Sequence, residues 1–465
     1  MHRSLAAVTV LVLAACGADA APTAAPSSAP AESSVASSVA SSVASSVESS
    51  VESSVESSAA PSAVETTAAA PSTDGATSVV DPPSAIPPLP DMAVVSTDGR
   101  VTIARSGAFA TPVTGLIAAD GRTMISTSVS TDHATTTVRW TALTDDIVQN
   151  EVDLDGDLTA IATDPTMKVV ALTGAGAKGT EIVIAGRDRE LFRHSYSTEL
   201  LPEGFSNVYT ESGVMPIGLF VVEFLDPPPA EVGAPRRYRV RVLDTANGEL
   251  ALPQNLRDKS QTVDEEMLGF GRTHVLSPVN GLLFTLYRGL DEDEAGYAFV
   301  HTLGFVNGVW CLDLPLDLDL GALPGALVLA DRERSLYVAS ANGYITEFIV
   351  NDIQNGPSEP EPVRTQQVWR APGNTAGPAL ASADETLLVG QRGDLRWVDA
   401  ATLTVTTVLT WDMDVEAVAL LPDGTALAAG TRRVSAITPS GDLVGEAPLP
   451  EGFGTVARIV LVGSS

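Results

Sequence analysis

Asp153, Asp155 and Asp157 stand at alternate positions in Asp153-Leu154-Asp155-Gly156-Asp157, and Asp164 falls at the twelfth place counted from Asp153. Carboxylates at the first, third, fifth and twelfth places of a loop are hard oxygen ligands in the order a calcium ion takes them. The helix-loop-helix form of that site wants glycine at the sixth place, where Leu158 stands, and flanking helices that this sequence does not offer. Acids alternating on a turn between strands explain the same residues. Calcium is the one cofactor these residues suggest.

A second candidate is the run Arg236-Arg237-Tyr238-Arg239-Val240-Arg241, the one basic stretch in an acidic chain. On a strand, successive side chains point to opposite faces, so Arg237, Arg239 and Arg241 share one face. Such a row meets either an anionic partner, such as a phosphate-bearing wall polymer, or acids of its own fold. Pro227-Pro228-Pro229 ahead of it marks a loop insertion. Beyond the first residues the histidines are His133, His194, His274 and His301, with no two at metal-ligand spacing. Only a closed ring could bring His274 together with acids from distant segments. Neither a Gly-x-Ser-x-Gly elbow nor a phosphate loop occurs, and no catalytic residue is assigned.

The chain's start carries a different chemistry. His2 and Arg3 precede an apolar run from Leu5 to Ala14, followed by Ala15 and Cys16. That order reads as a secretory signal, too short to cross a bilayer as a helix. Leu13-Ala14-Ala15-Cys16 resembles the lipobox of bacterial lipoproteins at each position. The resemblance implies removal of residues 1–15, a diacylglycerol group on the Cys16 sulfur, further acylation (palmitate among the acids) on its amine, and a membrane-anchored protein outside the cytoplasm. With Cys16 acylated, Cys311 in apolar Trp310-Cys311-Leu312 would have no cysteine to bridge to and is expected as an inert buried thiol.

Residues 16–90 read as a tether. From Ser33 to Ser58 a Ser-Ser-Val-Ala unit repeats and turns into Ser-Ser-Val-Glu. Two serines in every unit weaken a helix, and the segment has little apolar area to bury, so disorder is expected. As a coil it would span about 50 Å, and stiffer Pro-rich stretches end it at Pro90. The whole chain has a net charge of −31, of which −24 lies beyond residue 90. A body this acidic repels phosphate backbones, which argues against nucleic acid as a partner.

From 91 to 465 the pattern changes to short alternating runs of Val, Ile, Leu and Thr, broken by Gly, Asp, Asn and Pro. These are half-buried strands, with turns every 8 to 12 residues or so. Asp258 to Leu268 is the best attempt at a helix and reads as a loop or one short helix. The strands recur in groups, for example Leu327-Val328-Leu329-Ala330-Asp331 with Leu336-Tyr337-Val338-Ala339-Ser340, and Val418-Ala419-Leu420-Leu421-Pro422-Asp423-Gly424 with Ala426-Leu427-Ala428-Ala429. They resemble blades of the Tyr-Val-Thr-Asn and WD-repeat β-propellers, which open on a Ser-Pro-Asp-Gly-like turn and continue as Leu-Tyr-Val-Ala-Ser. The Trp-Asp signature with its Gly-His partner is not reproduced. The expected fold is all-β: a single propeller of seven or eight four-stranded blades over 91–465. Pairing of Ala93-Val94-Val95 with Val456 to Val462 would close the ring and give eight.

Taken together, the sequence predicts a monomer anchored by lipid on the outer face of the membrane. Its expected role is a non-enzymatic binding or scaffolding module for an envelope protein or glycan. The resemblance leaves open a lactonase-like or other hydrolytic propeller with its site in the central channel, and, more remotely, a quinone-dependent dehydrogenase.

Overall fold

The computed structural model describes residues 88–463 except 119, 177–178, 206–217, 229–234, 278, 291–295, 305–307, 315–324, 356–359 and 370–376. The expected signal segment and nearly all of the tether, Cys16 included, lie outside the described residues. What is described is built almost wholly of antiparallel strands joined by short turns.

The strands come in successive hairpin-linked groups. Val113–Ile117, Thr123–Val129, Thr135–Ala142 and Ile147–Asp155 pair in chain order. Leu158–Thr163, Val169–Ala175, Thr180–Gly186 and Glu190–Ser195 repeat the pattern. So do Leu200–Phe205, Gly218–Phe224, Arg236–Asp244 and Glu249–Ala251. Met267–Ser277, Leu282–Leu290, Gly296–Gly304 and Gly308–Asp313 follow. Next are Gly325–Ala330, Ser335–Ser340, Tyr344–Ile349 and Arg364–Gln367. In the group after that, Ala379–Ala383 pairs with the first half of Thr386–Asp399, whose second half pairs with Thr404–Val415. Ala417–Leu420, Ala426–Ala429, Arg433–Ile437 and Leu443–Pro448 come last but one. The remaining group joins both ends of the domain. Val456–Leu461 pairs with Met92–Ser96, which pairs with Arg100–Arg105 and through it with Ala108–Phe109.

Leading strands of neighbouring groups lie side by side: Val113–Ile117 by Leu158–Thr163, that strand by Leu200–Phe205, and Met267–Ser277 onward to Val456–Leu461. The last of these returns to the first, because Arg458 donates from Nη2 to the Ile117 carbonyl at 3.3 Å. Four-stranded sheets arranged in this way, with both chain ends in one sheet, form a β-propeller. The pairing anticipated from Ala93-Val94-Val95 and the Val456 segment is present in register, Val94 opposite Ile459.

The sequence pattern follows from this packing. A middle strand is covered on both faces by the neighbouring groups, so it is apolar throughout, as in Gly218–Phe224 and Ala426–Ala429, where every residue is buried. The outermost strand Thr404–Val415 is covered on one face and alternates exposed with half-buried residues along nearly its whole length. The seams are also pegged by aromatic donors that reach a carbonyl on the next group. Trp140 Nε1 donates to Met167 O at 2.9 Å, Tyr196 to Gly248 O at 3.1 Å, Tyr337 to Ala400 O at 3.1 Å and Trp397 Nε1 to Gly424 O at 2.8 Å.

Of the two readings of Asp258 to Leu268, a loop or one short helix, the loop is found: Asp258 accepts from Ser260 and Gln261 in a tight turn, and Met267 already opens a strand. The six-residue helix Val350–Asn355 was not anticipated; Val350 and Ile353 anchor it to the apolar core beside Phe348.

Candidate functional site

The alternating acids do not form a calcium loop. Asp164, at the twelfth place, is fully buried and accepts from the backbone N–H groups of Thr166, Lys168 and Val169 at 3.0, 2.7 and 2.8 Å. Its oxygens hold a turn. Asp153 accepts from Thr137 Oγ1 at 2.6 Å, and Asp157 pairs with His133 Nδ1 at 2.7 Å. Asp155 is exposed on the same strand face as Asp153. Among the described residues no three His, Cys, Asp or Glu side chains gather where they could hold a metal.

The arginine row shares one face, but the fold supplies its acids. Arg237 meets Asp226 at 2.9 Å, Arg239 meets Glu223 at 2.8 Å, and Arg241 meets Asp264 at 2.6 Å. Glu223 lies opposite Arg239 on the neighbouring strand and also reaches Arg241 at 3.6 Å. A cation matched this closely by carboxylates presents little charge to an outside anion.

Three of the histidines are structural in their surroundings. His133 sits on an exposed turn against Asp157, and His194 packs between Phe192 and Tyr196. His301 is 2% exposed and lies edge-on to Tyr287, facing a cavity of about 180 Å³ bounded by Val240, Val263, Met267 and Trp310. Burial pushes its imidazole down to about 4. The folded protein therefore keeps His301 neutral while the unfolded chain takes up a proton below about pH 6.5. Stability from this group is intact above pH 6.5 and is lost towards pH 4, by up to about 3 kcal/mol. Urea titrations of a His301→Phe variant are expected to show a shallower fall over that window than the parent. An identical fall would remove His301 as its source. Cys311, also on this cavity, is half-buried.

The fourth histidine is different, and its place could be read only from the closed ring. His274 is on the leading strand of its group, as are Glu203, Thr159 and Arg458 on theirs. On such a strand alternate residues are buried between groups, as Leu158, Ala160 and Ala162 are, and the residues between them are more exposed. β-Bulges fall at these places: between Pro202 and Gly204, flanking Glu203; between Gly271 and Thr273, just before His274; and opposite the closing strand, between Val95 and Ser96, next to the Arg458 pair. A bulge bends the strand and re-aims a side chain. Thr159, His274 and Arg458 touch solvent, while protein packed around His274 and Arg458 limits their hydration.

Confinement sets the ionisation there. Burial pushes the Glu203 carboxyl up to about 8, so it is a neutral acid at pH 7. Burial, and then the Arg458 charge, push the His274 imidazole down to about 4. Burial lowers Arg458 as well, but a guanidinium stays charged at any physiological pH. Glu203 and Arg458 were not singled out in the sequence. Glu203 lies in Pro202-Glu203-Gly204, which reads as a turn, and Arg458 interrupts the apolar segment Val456-Ala457-Arg458-Ile459-Val460. An isolated cation inside a terminal apolar strand was the available signal.

A scan of protein-family models and a search of curated proteins find no match to this chain. Solved structures give remote likenesses. The β-propeller domain of Cps50 (Swd1) from Myceliophteria thermophila is 11% identical at a TM-score of 0.39, covering 74% of this chain and 97% of that one. The dihydro-heme d1 dehydrogenase NirN is 16% identical at 0.43, covering 82% and 77%. The designed protein Ika8 is 11% identical at 0.40, covering 78% and 94%.

Proposed function

We propose that this chain is a lipid-anchored binding module of the outer cell envelope: an eight-bladed propeller, carried on a Ser/Ala/Pro-rich tether, that recognises its ligand through the axial channel. The observation that carries the binding part is that His274 and Arg458 both stand, exposed, on the leading strands of their groups. A hydrolytic site needs a base with a pKa near the working pH, usually oriented by a carboxylate. His274 has a cation as its charged neighbour and an imidazole held at about 4, too weak a base to activate water or a hydroxyl at neutral pH. Recognition without turnover suits such a group better than lactone or ester hydrolysis. The strong negative charge of the body disfavours nucleic acid as the ligand.

The anchor rests on Leu13-Ala14-Ala15-Cys16. Acylation consumes the Cys16 thiol, and a sulfur in a disulfide has none to give. The sequence holds only Cys16 and Cys311, so a bridge between them and a lipid on Cys16 exclude each other. Peptide mass analysis of protein purified from membranes decides between these fates. The expected N-terminal residue is Cys16 carrying diacylglycerol; a bare or bridged Cys16 would remove the anchor. Turnover of lactone or ester substrates by the same material, abolished in His274→Gln, would replace the binding module with an enzyme.

A further inference from the structure

We propose that the cavity beside His301, between two neighbouring strand groups, binds one small neutral cyclic molecule that carries an acceptor oxygen, of the class of a ring ketone or lactam. It is a second site, built from none of the channel's residues.

The first ground is the cavity itself. Val240 comes from the strand Arg236–Asp244 of one group, and Met267, His301 and Val309 come from strands of the next. All four are buried, and with Val263 they bound about 180 Å³ of space. An apolar cavity of roughly 150 Å³ takes a benzene ring, so a six-membered ring with a small substituent fits this one. The segment between the two groups closes over it as a loop, in which Asn255 N donates to Gln261 O at 2.9 Å and Val263 N to Pro253 O at 2.8 Å. Asn255, Val263 and Glu265 supply the wall on that side and are only half-buried, which makes it the side of entry.

The second ground is a pair of polar groups on this wall with hydrogen bonds still to make. His301 is 2% exposed, yet among the described residues neither of its ring nitrogens meets a donor or acceptor; its close neighbour is the edge-on ring of Tyr287. A buried imidazole in that state costs free energy that a hydrogen-bonding occupant would restore. Asn255 is the other group. Its Oδ1 accepts from the backbone N–H groups of Arg257 and Asp258, each at 2.9 Å. Only the oxygen can accept there, so the amide is fixed in orientation and its Nδ2 protons are left without a partner among the described residues. Apolar walls with a few placed polar groups are the makeup of a small-molecule pocket. Water suits it poorly, since each molecule needs two to four polar partners and the valines and Met267 offer none.

The ligand is neutral because the wall holds no countercharge for an anion. Burial keeps His301 unprotonated at pH 7, and the described residues around the cavity include Glu265 but no Lys or Arg. A cation would meet Glu265 only at the half-buried rim while giving up its hydration to a mostly apolar space.

The test is calorimetric titration of the full-length protein at pH 7 with cyclohexanone and, separately, with cyclohexanecarboxylate, which sets an anion on the same ring. Cyclohexanone is expected to bind saturably at one site per chain, and the carboxylate at least about tenfold more weakly. Asn255→Asp keeps an oxygen for the two backbone bonds but exchanges the free N–H donors for a second oxygen, and is expected to weaken cyclohexanone binding by about tenfold. Val263→Phe sets a ring of the protein's own into the space and is expected to abolish binding. Thermal melts identify which variants fold, and either one alone suffices. Absence of saturable cyclohexanone binding, equal binding of the carboxylate, or unchanged affinity in either variant that folds overturns the site.

Discussion

Removal of Val456–Leu461 is expected to abolish cooperative unfolding of the body. The strand pairs along its length with Met92–Ser96, and it joins two clusters of the core. Val456 and Ile459 pack with Met92, Val94, Leu427 and Phe453, and Val460 packs with Ala93, Val101 and Ile117. Each of these buried aliphatic side chains contributes roughly 1.5–3 kcal/mol, so their joint loss approaches the whole margin of about 5–15 kcal/mol on which a domain stands. The truncation also strips the partner from an internal strand and exposes an apolar edge that invites aggregation. The seam has no slack: a Cβ on Gly121, whose φ is +64°, would lie 1.9 Å from the Leu461 carbonyl oxygen. Thermal and urea melts followed by circular dichroism check this. A truncated chain that melts sharply at the parent midpoint would show that the ends do not hold the ring.

Trp140→Ala is expected to cost about 3–5 kcal/mol, the largest effect of any single substitution considered. Trp140 has no exposed surface and packs against Ile125, Val138, Leu154, Leu172 and Val183, joining one strand group to the next. Its Nε1–H bond to Met167 O pins the neighbouring turn, so Trp140→Phe, which keeps most of the apolar contact, is expected to cost about 1–3 kcal/mol. Trp411 is the internal comparison. It is only half-buried, and its Nε1 finds no partner, so Trp411→Ala should cost well under half as much. Equilibrium urea unfolding measures all three. Equal losses at positions 140 and 411 would mean that the pegs do not hold the seams.

The fold was largely legible in the sequence because it rests on local rules. Alternation in the outermost strand Thr404–Val415, apolar runs in doubly covered strands and Gly or Asp at the turns each say strand without reference to the rest of the chain. The pairing of the domain's two ends could be posed from the unpaired runs left over at 93–95 and 456–462, and it is present in register. What sits in the channel could not be read so directly. The period of two says that Arg458 and Ile459 lie on opposite faces, but only the closed ring says which face looks inward. His274 was a candidate for that reason and no better one. The arginine row shows the converse: its shared face follows from alternation, while its neutralisation depends on Glu223 across the sheet and on Asp226 and Asp264 in flanking loops. Spacing along a chain does not report which acids a fold will bring alongside. The helix Val350–Asn355 escaped for a related reason, since six residues are too few to show a helical period and packing against the core holds them.

Everything proposed for the channel requires that the ring be closed, because without closure Arg458 and His274 have no shared interior. Hydrogen exchange of the backbone amides of Val456–Leu461, read by mass spectrometry on the full chain, tests this most directly. The expected result is protection equal to that of the central strand Val169–Ala175, with both released together in a single cooperative opening. Fast exchange at 456–461, on the scale of a frayed terminus while Val169–Ala175 stays protected, would show an open ring and end the case for an axial site.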